Sequence, residues 1–214
     1  MINLLLIISI ILILVSYTRI ILIYLSTKSI NIDDMNGFDL AKELTLKYDE
    51  INIVESKEIN ISKYNFKRRV IRLTTKDYNS NNIFNLSKIT LLSGYSIINI
   101  ANDKYLSLLG RVLPNIDYLN KSSLIALFIS ILARTTKDAK ISIILLIIIL
   151  IYQYLINEIN IISKNETMKK LNSILKTNYY NKILQVEDIY LLINKISFIT
   201  TLILIFRNIL IIIN

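Results

Sequence analysis

The hydrophobic and polar positions divide the chain into long apolar stretches separated by polar stretches of mixed charge. Residues 2–25 form an apolar run interrupted only near Arg19, and residues 141–156 and 189–213 form two more. About 20 consecutive apolar residues cross a bilayer as a helix. The pattern therefore predicts three transmembrane helices. The first is expected to be an uncleaved anchor, because no positive charge precedes its apolar stretch.

A fourth apolar stretch, residues 123–133, is shorter. Stretches of this length are as often re-entrant or buried as they are membrane-spanning. A charged break at 134–140 separates it from the next apolar run, and we expect the two to form a tight helical hairpin. The predicted fold class is thus a mostly α integral membrane protein with about four transmembrane helices.

The polar stretch after the first apolar run has the periodicities of a small α+β domain. Its pattern predicts a helix at 38–44, strands at 51–55 and 69–73, a turn at 62–65, and a helix at 81–113 that ends before Pro114. The middle of the last helix, residues 91–100, is too apolar for a free surface. We therefore expect it to be buried.

These elements give a division of the chain into five segments. They are an N-terminal anchor at 1–25, a polar domain at 26–120, a transmembrane hairpin at 121–157, an amphipathic helical segment at 158–188, and a C-terminal transmembrane helix at 189–214. Four spans place both polar segments on one side of the membrane. Because they hold most of the Lys and Arg, the positive-inside rule predicts a multi-pass protein of the cell membrane with a cytoplasmic domain. The three basic residues of the 134–140 loop argue the other way.

Composition agrees with this picture and limits the chemistry. With 53% hydrophobic residues and a mean hydropathy of +0.51, the chain is too apolar for a soluble domain. The absence of Cys excludes thiol nucleophiles, and the absence of His removes the usual zinc ligand and general base. The net charge of +9 favours binding to anionic lipid headgroups over nucleic acid. The abundance of Ile, Asn, Lys and Tyr indicates an AT-rich genome, which lowers the weight of short motifs.

Local motifs of the polar domain nevertheless occur in a familiar order. They are Gly37 with Leu40-Ala41-Lys42, then Lys63-Tyr64-Asn65, then Arg68-Arg69-Val70-Ile71-Arg72-Leu73-Thr74, a helix at 83–97, Pro114, and Glu158-Ile159-Asn160. In this order and spacing, residues 36–165 resemble the membrane-bound neutral zinc metallopeptidases of bacteria, a gluzincin-like family with an H-E-x-x-H helix. The resemblance implies a domain beside a helical hairpin, with the position of the third zinc ligand close to the zinc helix.

The sequence departs from this family at the zinc motif itself. In the family, two histidines four residues apart lie on one helix face and bind zinc, and a glutamate beside them acts as the base. When Gly94 is aligned with the glycine of the motif, Leu91 and Tyr95 occupy the histidine positions and Leu92 occupies the glutamate position. The resemblance therefore implies no catalytic residue. Without the resemblance, these three side chains are simply core residues of a buried helix.

The other positions that align with the family's zinc site also lack most of the metal ligands. Lys63 replaces the family's turn histidine, and Glu158, at the position of the third ligand, is the one matching residue that still binds metals. A single carboxylate does not hold catalytic zinc. We therefore expect no cofactor and no bound metal.

Two functional hypotheses follow. The first is an inactive metallopeptidase relative that serves as a membrane binding or scaffolding module for an extended peptide or a membrane protein. In this hypothesis a peptide adds to an exposed strand near 70–73, and Glu158 lies close to Leu91 and Tyr95. The second is a membrane enzyme or transport subunit in which Glu158 and Asp103 bind protons or a divalent cation, with Asn99 and Asn102 as further oxygen ligands.

Overall fold

The computed structural model describes residues 2–33, 35–101 and 117–213. Its helices and strands are α1 (Ile2–Thr27), α2 (Gly37–Thr45), β1 (Asn52–Glu55), β2 (Lys63–Asn65), β3 (Val70–Leu73), α3 (Thr75–Tyr78), α4 (Ile83–Ile100), α5 (Asp117–Leu132), α6 (Thr136–Ile174) and α7 (Thr177–Ile213). The described part of the chain is thus mostly helical with one small sheet, as the hydrophobic pattern predicts.

Three helices of the described chain, α1, α6 and α7, are long and apolar enough to cross a bilayer. Because α6 has 39 residues and α7 has 37, each is about 55 Å long or more, nearly twice the ~30 Å of a hydrocarbon core. Each therefore continues well beyond its apolar part. The long apolar helices predicted from the sequence are confirmed. The fourth stretch lies in α5, whose apolar part is shorter, and a fourth span stays a prediction.

The chain folds into two compact units. The helical unit contains Met1–Ile21, Ile116–Asn157 and Tyr190–Asn214, and the mixed unit contains Leu22–Asn115 and Glu158–Ile189. Each of the long helices α6 and α7 therefore has one end in the helical unit and the other end in the mixed unit. The break between them, at 175–176, lies in the mixed unit.

In the helical unit, polar side chains lie inside and large apolar side chains lie outside. Gln153 Nε2 donates hydrogen bonds to the hydroxyls of Ser122 and Ser197, both at 2.9 Å. The Asn208 amide donates to Ser142 Oγ at 3.0 Å. A small apolar core consists of Ala126, Leu146 and Leu204, and the exposed side chains include Phe128, Ile144 and Phe206. Helices whose outer faces contact lipid have this distribution.

In the mixed unit, β3 is the central strand of a sheet with the order β1–β3–β2. It pairs in parallel with β1 and antiparallel with β2. Alternation along the strands places the fully buried Ile71 and Leu73, together with Tyr64, on the inner face. The predicted strands are confirmed. The turn predicted at 62–65 is wrong, because Lys63–Asn65 is itself a strand and the chain reverses at 66–69 instead.

Helix α4 begins where Asn82 ties it to the end of α1. The Asn82 side-chain oxygen accepts a hydrogen bond from the Phe84 N–H and caps the helix. Its amide nitrogen donates to the carbonyls of Thr27 and Lys28 at the end of α1, where carbonyl groups have no partners within the helix. Backbone hydrogen bonds between the same two segments, from the Ile32 N–H to Asn81 and from the Ile83 N–H to Ile30, add to this connection.

Candidate functional site on helix α4

Helix α4 carries the three positions that the sequence aligns with a zinc motif, and all three are buried. Leu91, Leu92 and Tyr95 are 8%, 5% and 6% exposed. Leu91 and Tyr95 lie four residues apart and therefore share one face of the helix. That face contacts the polar end of α6.

Two residues of α6 make hydrogen bonds to this face. Ser163 Oγ donates to the carbonyl oxygen of Leu91 at 2.9 Å. The Tyr95 hydroxyl donates to Asn160 Oδ1. Both α6 residues are buried, so each bond satisfies polar groups that water does not reach.

Gly94 allows the two helices to approach at backbone distance. A Cβ added at this residue would lie 2.7 Å from the carbonyl oxygen of Ser163 and closer still to its hydroxyl. No side chain fits between the two backbones here. The face that resembles a zinc site is therefore solid packing between α4 and α6.

The donor groups at this contact do not fit zinc. Leu91 and Leu92 offer no side-chain ligand, and the Tyr95 hydroxyl is engaged with Asn160. A catalytic zinc site needs three protein ligands and an open position for water. In the described residues, no three Asp or Glu side chains lie close enough together to hold a metal ion either.

Glu158 is half-buried on α6, two residues before the Asn160 that contacts Tyr95. Each residue of a helix turns the chain by about 100°, so Glu158 points away from the side that Asn160 presents to α4. The hydrogen bonds from α6 to Leu91 and Tyr95 come from Ser163 and Asn160, not from Glu158, which the resemblance expects beside them. Among the described residues, Glu158 has no hydrogen bond or ion pair.

The other residues of the predicted sites have separate places. Lys63 is a half-buried residue of β2, and the side chain of its neighbour Tyr64 is buried on the inner face. Asn102 and Asp103 lie outside the described residues. Their part in a cation or proton site therefore stays a prediction.

Asn99 holds the end of α4 to the β2–β3 hairpin. Its amide nitrogen donates to the Tyr64 hydroxyl at 2.8 Å and to the Phe66 carbonyl at 3.0 Å. Burial raises the pKa of Tyr64, and the hydrogen bond from Asn99 lowers it in part. These contacts give Asn99 a structural role.

Sequence reasoning missed a buried carboxyl group, that of Glu187 on α7. Glu187 is 4% exposed, and neither carboxyl oxygen has a hydrogen-bond partner among the described residues. A signal was present, since Ile183, Glu187 and Asn194 recur at helical spacing on the face that is buried. Within a Lys-rich segment, however, a single Glu has no feature that separates it from surface residues.

Comparison of the chain with models of protein families, with curated proteins and with solved structures gave no match. The metallopeptidase resemblance therefore rests on the motifs of the sequence alone.

Proposed function

We propose that this protein is a multi-pass membrane protein whose mixed unit is a catalytically inactive, metallopeptidase-like binding module. The observation that carries the proposal is the packing of α4 on α6 at Gly94. This close contact lies on the helix where the resemblance would require room for a metal and its water. Loss of the metal site leaves the sheet as the functional surface. Binding through a sheet edge uses backbone groups and needs no metal.

Hydrogen bonds within the helical unit support four spans. Ser122, near the start of α5, contacts Gln153, and Ser142 near the start of α6 donates to the carbonyl of Ile129 near the end of α5. Helices α5 and α6 are therefore antiparallel neighbours along most of α5, joined by only 133–135. If α6 crosses the bilayer, α5 accompanies it.

The charge distribution supports a cytoplasmic mixed unit in the cell membrane. Most Lys and Arg lie in 26–120 and 158–188, and positive loops stay on the cytoplasmic side. On the outer face of the sheet, Lys63 pairs directly with Arg72. Like charges directly opposite each other are unfavourable, and anionic lipid headgroups would relieve this repulsion.

The sheet has two edge strands, β1 and β2, because β3 is paired on both sides. We take β1 as the edge that accepts a peptide, since β1 has exposed residues and β2 has none. The strand at 70–73, which the sequence favours for peptide addition, is β3 and has no free edge. The Asn52 N–H donates to the Arg69 carbonyl at 3.1 Å, and the Ser56 N–H donates to the Leu73 carbonyl at 2.8 Å. Alternation along a parallel strand then directs the N–H and C=O groups of Ile53 and Glu55 outward.

A substitution at Glu55 tests this edge. Glu55→Pro removes an outward N–H without removing a bond between β1 and β3, and edge strands tolerate proline. Glu55→Gln is the matched control because it keeps the N–H. The probe is a synthetic peptide of alternating Val and Lys, whose charge complements Glu55 and Glu58, added to the purified protein in lipid nanodiscs.

We expect the wild type and Glu55→Gln to bind the peptide and Glu55→Pro to lose binding by tenfold or more, about 1.4 kcal/mol. The peptide should remain intact after long incubation. Equal binding by Glu55→Pro and Glu55→Gln would show that the peptide does not bind at the β1 edge. Cleavage of the peptide by the wild type, absent from a mock preparation, would overturn the inactivity.

A further inference from the structure

The carboxyl group of Glu187 lies in an environment that does not suit an ionised acid. It is 4% exposed and both of its oxygens lack a hydrogen-bond donor among the described residues. An ionised carboxylate buried without a partner is very unfavourable, and such a group takes up a proton instead. Glu187 belongs to the mixed unit, ahead of the last apolar stretch.

Two charged groups act on Glu187. The Lys164 ammonium on α6 favours its ionised form, and the Asp188 carboxylate on α7 opposes it. Burial has the largest effect and raises the pKa of Glu187 well above its usual range. Lys164 is itself only 13% exposed and is paired with Asp188, which is 59% exposed.

The single ammonium group of Lys164 therefore interacts with two carboxyl groups, those of Glu187 and Asp188, and can form a close ion pair with one of them at a time. While Glu187 is neutral, the exposed Asp188 is the favourable partner, because pairing with a neutral acid gives no Coulomb attraction. Once Glu187 is ionised, pairing with Lys164 stabilises its buried carboxylate more than it stabilises Asp188, because water already solvates Asp188. The long, flexible stem of lysine permits the exchange.

The geometry points to a proton-binding site at Glu187, in which release of the proton transfers Lys164 from Asp188 to Glu187. The O–H bond of the carboxylic acid breaks, the proton goes to water, and the ion pair moves by one residue along α7. The site does not depend on the binding function proposed above. Its ligand is a proton, and binding or release of that proton changes which of the two carboxyl groups pairs with Lys164.

The composition of the chain makes this site directly measurable. With no His and no Cys, only the α-amino group normally titrates between the range of ordinary carboxylates and that of Tyr and Lys. At neutral pH, infrared spectra of the purified protein in nanodiscs should still show the C=O stretch of one protonated carboxylic acid. That band should disappear in a single step as the pH is raised.

Four variants distinguish a proton held at Glu187 from a proton held at another carboxyl group. Glu187→Gln should abolish the band, whereas the control Glu166→Gln, which removes a carboxylate paired with Lys169 on the surface of α6, should keep it. Asp188→Asn frees Lys164 for Glu187 and should move the titration midpoint to lower pH. Lys164→Met removes the cation and should move it to higher pH. The last two variants retain Glu187 and serve even if Glu187→Gln does not fold.

The same titration has a consequence for stability. Below the pKa of a Glu in the unfolded chain, both states hold the proton and the stabilisation is fully present. As the pH rises towards the higher folded pKa, the unfolded chain releases its proton first, so the free energy of unfolding falls. Glu187→Gln should abolish this fall. Absence of the band in the wild type at pH 7, its persistence in Glu187→Gln, or unchanged midpoints in Asp188→Asn and Lys164→Met would overturn the assignment.

Discussion

At the scale of single residues, the contact between α4 and α6 depends on the smallest side chain of the buried helix. Gly94 leaves room for the Ser163 backbone, and Ser163 in turn donates to the Leu91 carbonyl. Next to Gly94, Ser93 is buried and its hydroxyl has no hydrogen-bond partner among the described residues. An alanine methyl group therefore fits at position 93 but clashes at position 94.

Alanine at these two positions should therefore have opposite effects. A helix interior favours Ala over Gly by about 1 kcal/mol, but overpacking costs about 1–3 kcal/mol. Because the obstacle at Gly94 includes a backbone oxygen, Gly94→Ala should lower the free energy of unfolding by about 1–2 kcal/mol. Ser93→Ala should leave it unchanged or raise it by about 1 kcal/mol. Denaturant unfolding in detergent measures both, and stabilisation by Gly94→Ala would contradict the close contact.

The sequence predicts part of this residue-scale picture. The apolar side chains at Leu91 and Leu92 predict a buried helix face, and they are buried. Which α6 residues meet that face is set by the rotation of a second helix far away in the chain, which local pattern does not determine. Asn160 and Ser163 therefore emerge only from the structure, as does the burial of Glu187.

At the scale of elements, the β2–β3 hairpin shows how a turn can escape a sequence pattern. Asn65 Oδ1 accepts hydrogen bonds from the N–H groups of Lys67 and Arg68, which organises the reversal. The chain then passes through Arg69 with φ of 54°. Glycine or asparagine usually occupies this left-handed position. Because the basic run 67–69 contains neither, the pattern favours the earlier Ser62–Asn65 as the turn.

Arg69→Gly should stabilise the hairpin. The left-handed conformation costs a residue with a Cβ roughly 1–2 kcal/mol, whereas the ion pair of Arg69 with Glu50 joins two exposed side chains and contributes about 0–1 kcal/mol. We expect the free energy of unfolding to rise by about 1 kcal/mol. The control Arg68→Gly has no such strain to relieve and should not stabilise. Unfolding curves that rank the two variants in the opposite order would contradict the turn.

At the scale of the whole molecule, long apolar stretches predict membrane-spanning helices, whereas a short apolar stretch does not show whether its helix crosses the bilayer. The apolar parts of α1, α6 and α7 follow from the length of their apolar runs, whereas the polar extensions of α6 and α7 do not. α5 does not, since its apolar part is shorter than a span. The polar bonds that join it to α6 and α7 through Gln153 are long-range contacts that the pattern of the sequence does not contain.

Cysteine labelling decides the number of spans. The native chain has no Cys, so single substitutions at the exposed Lys57 and Lys137 give unique labels. Four spans with a cytoplasmic mixed unit predict that a membrane-impermeant maleimide labels Lys137→Cys in intact cells and Lys57→Cys only after permeabilisation. Labelling of both from one side would show that α5 does not cross. The reverse pattern would invert the orientation.

The packing of α4 on α6 is the centre of this account, and metal content tests it most directly. The wild-type protein should be purified from zinc-supplemented cells without chelators, its metals measured by mass spectrometry, and its unfolding followed with added zinc or with EDTA. We predict no stoichiometric metal and the same unfolding temperature in both conditions, because a ligand stabilises only a folded state that binds it. One metal ion per chain, with an unfolding temperature that EDTA lowers, would contradict the account.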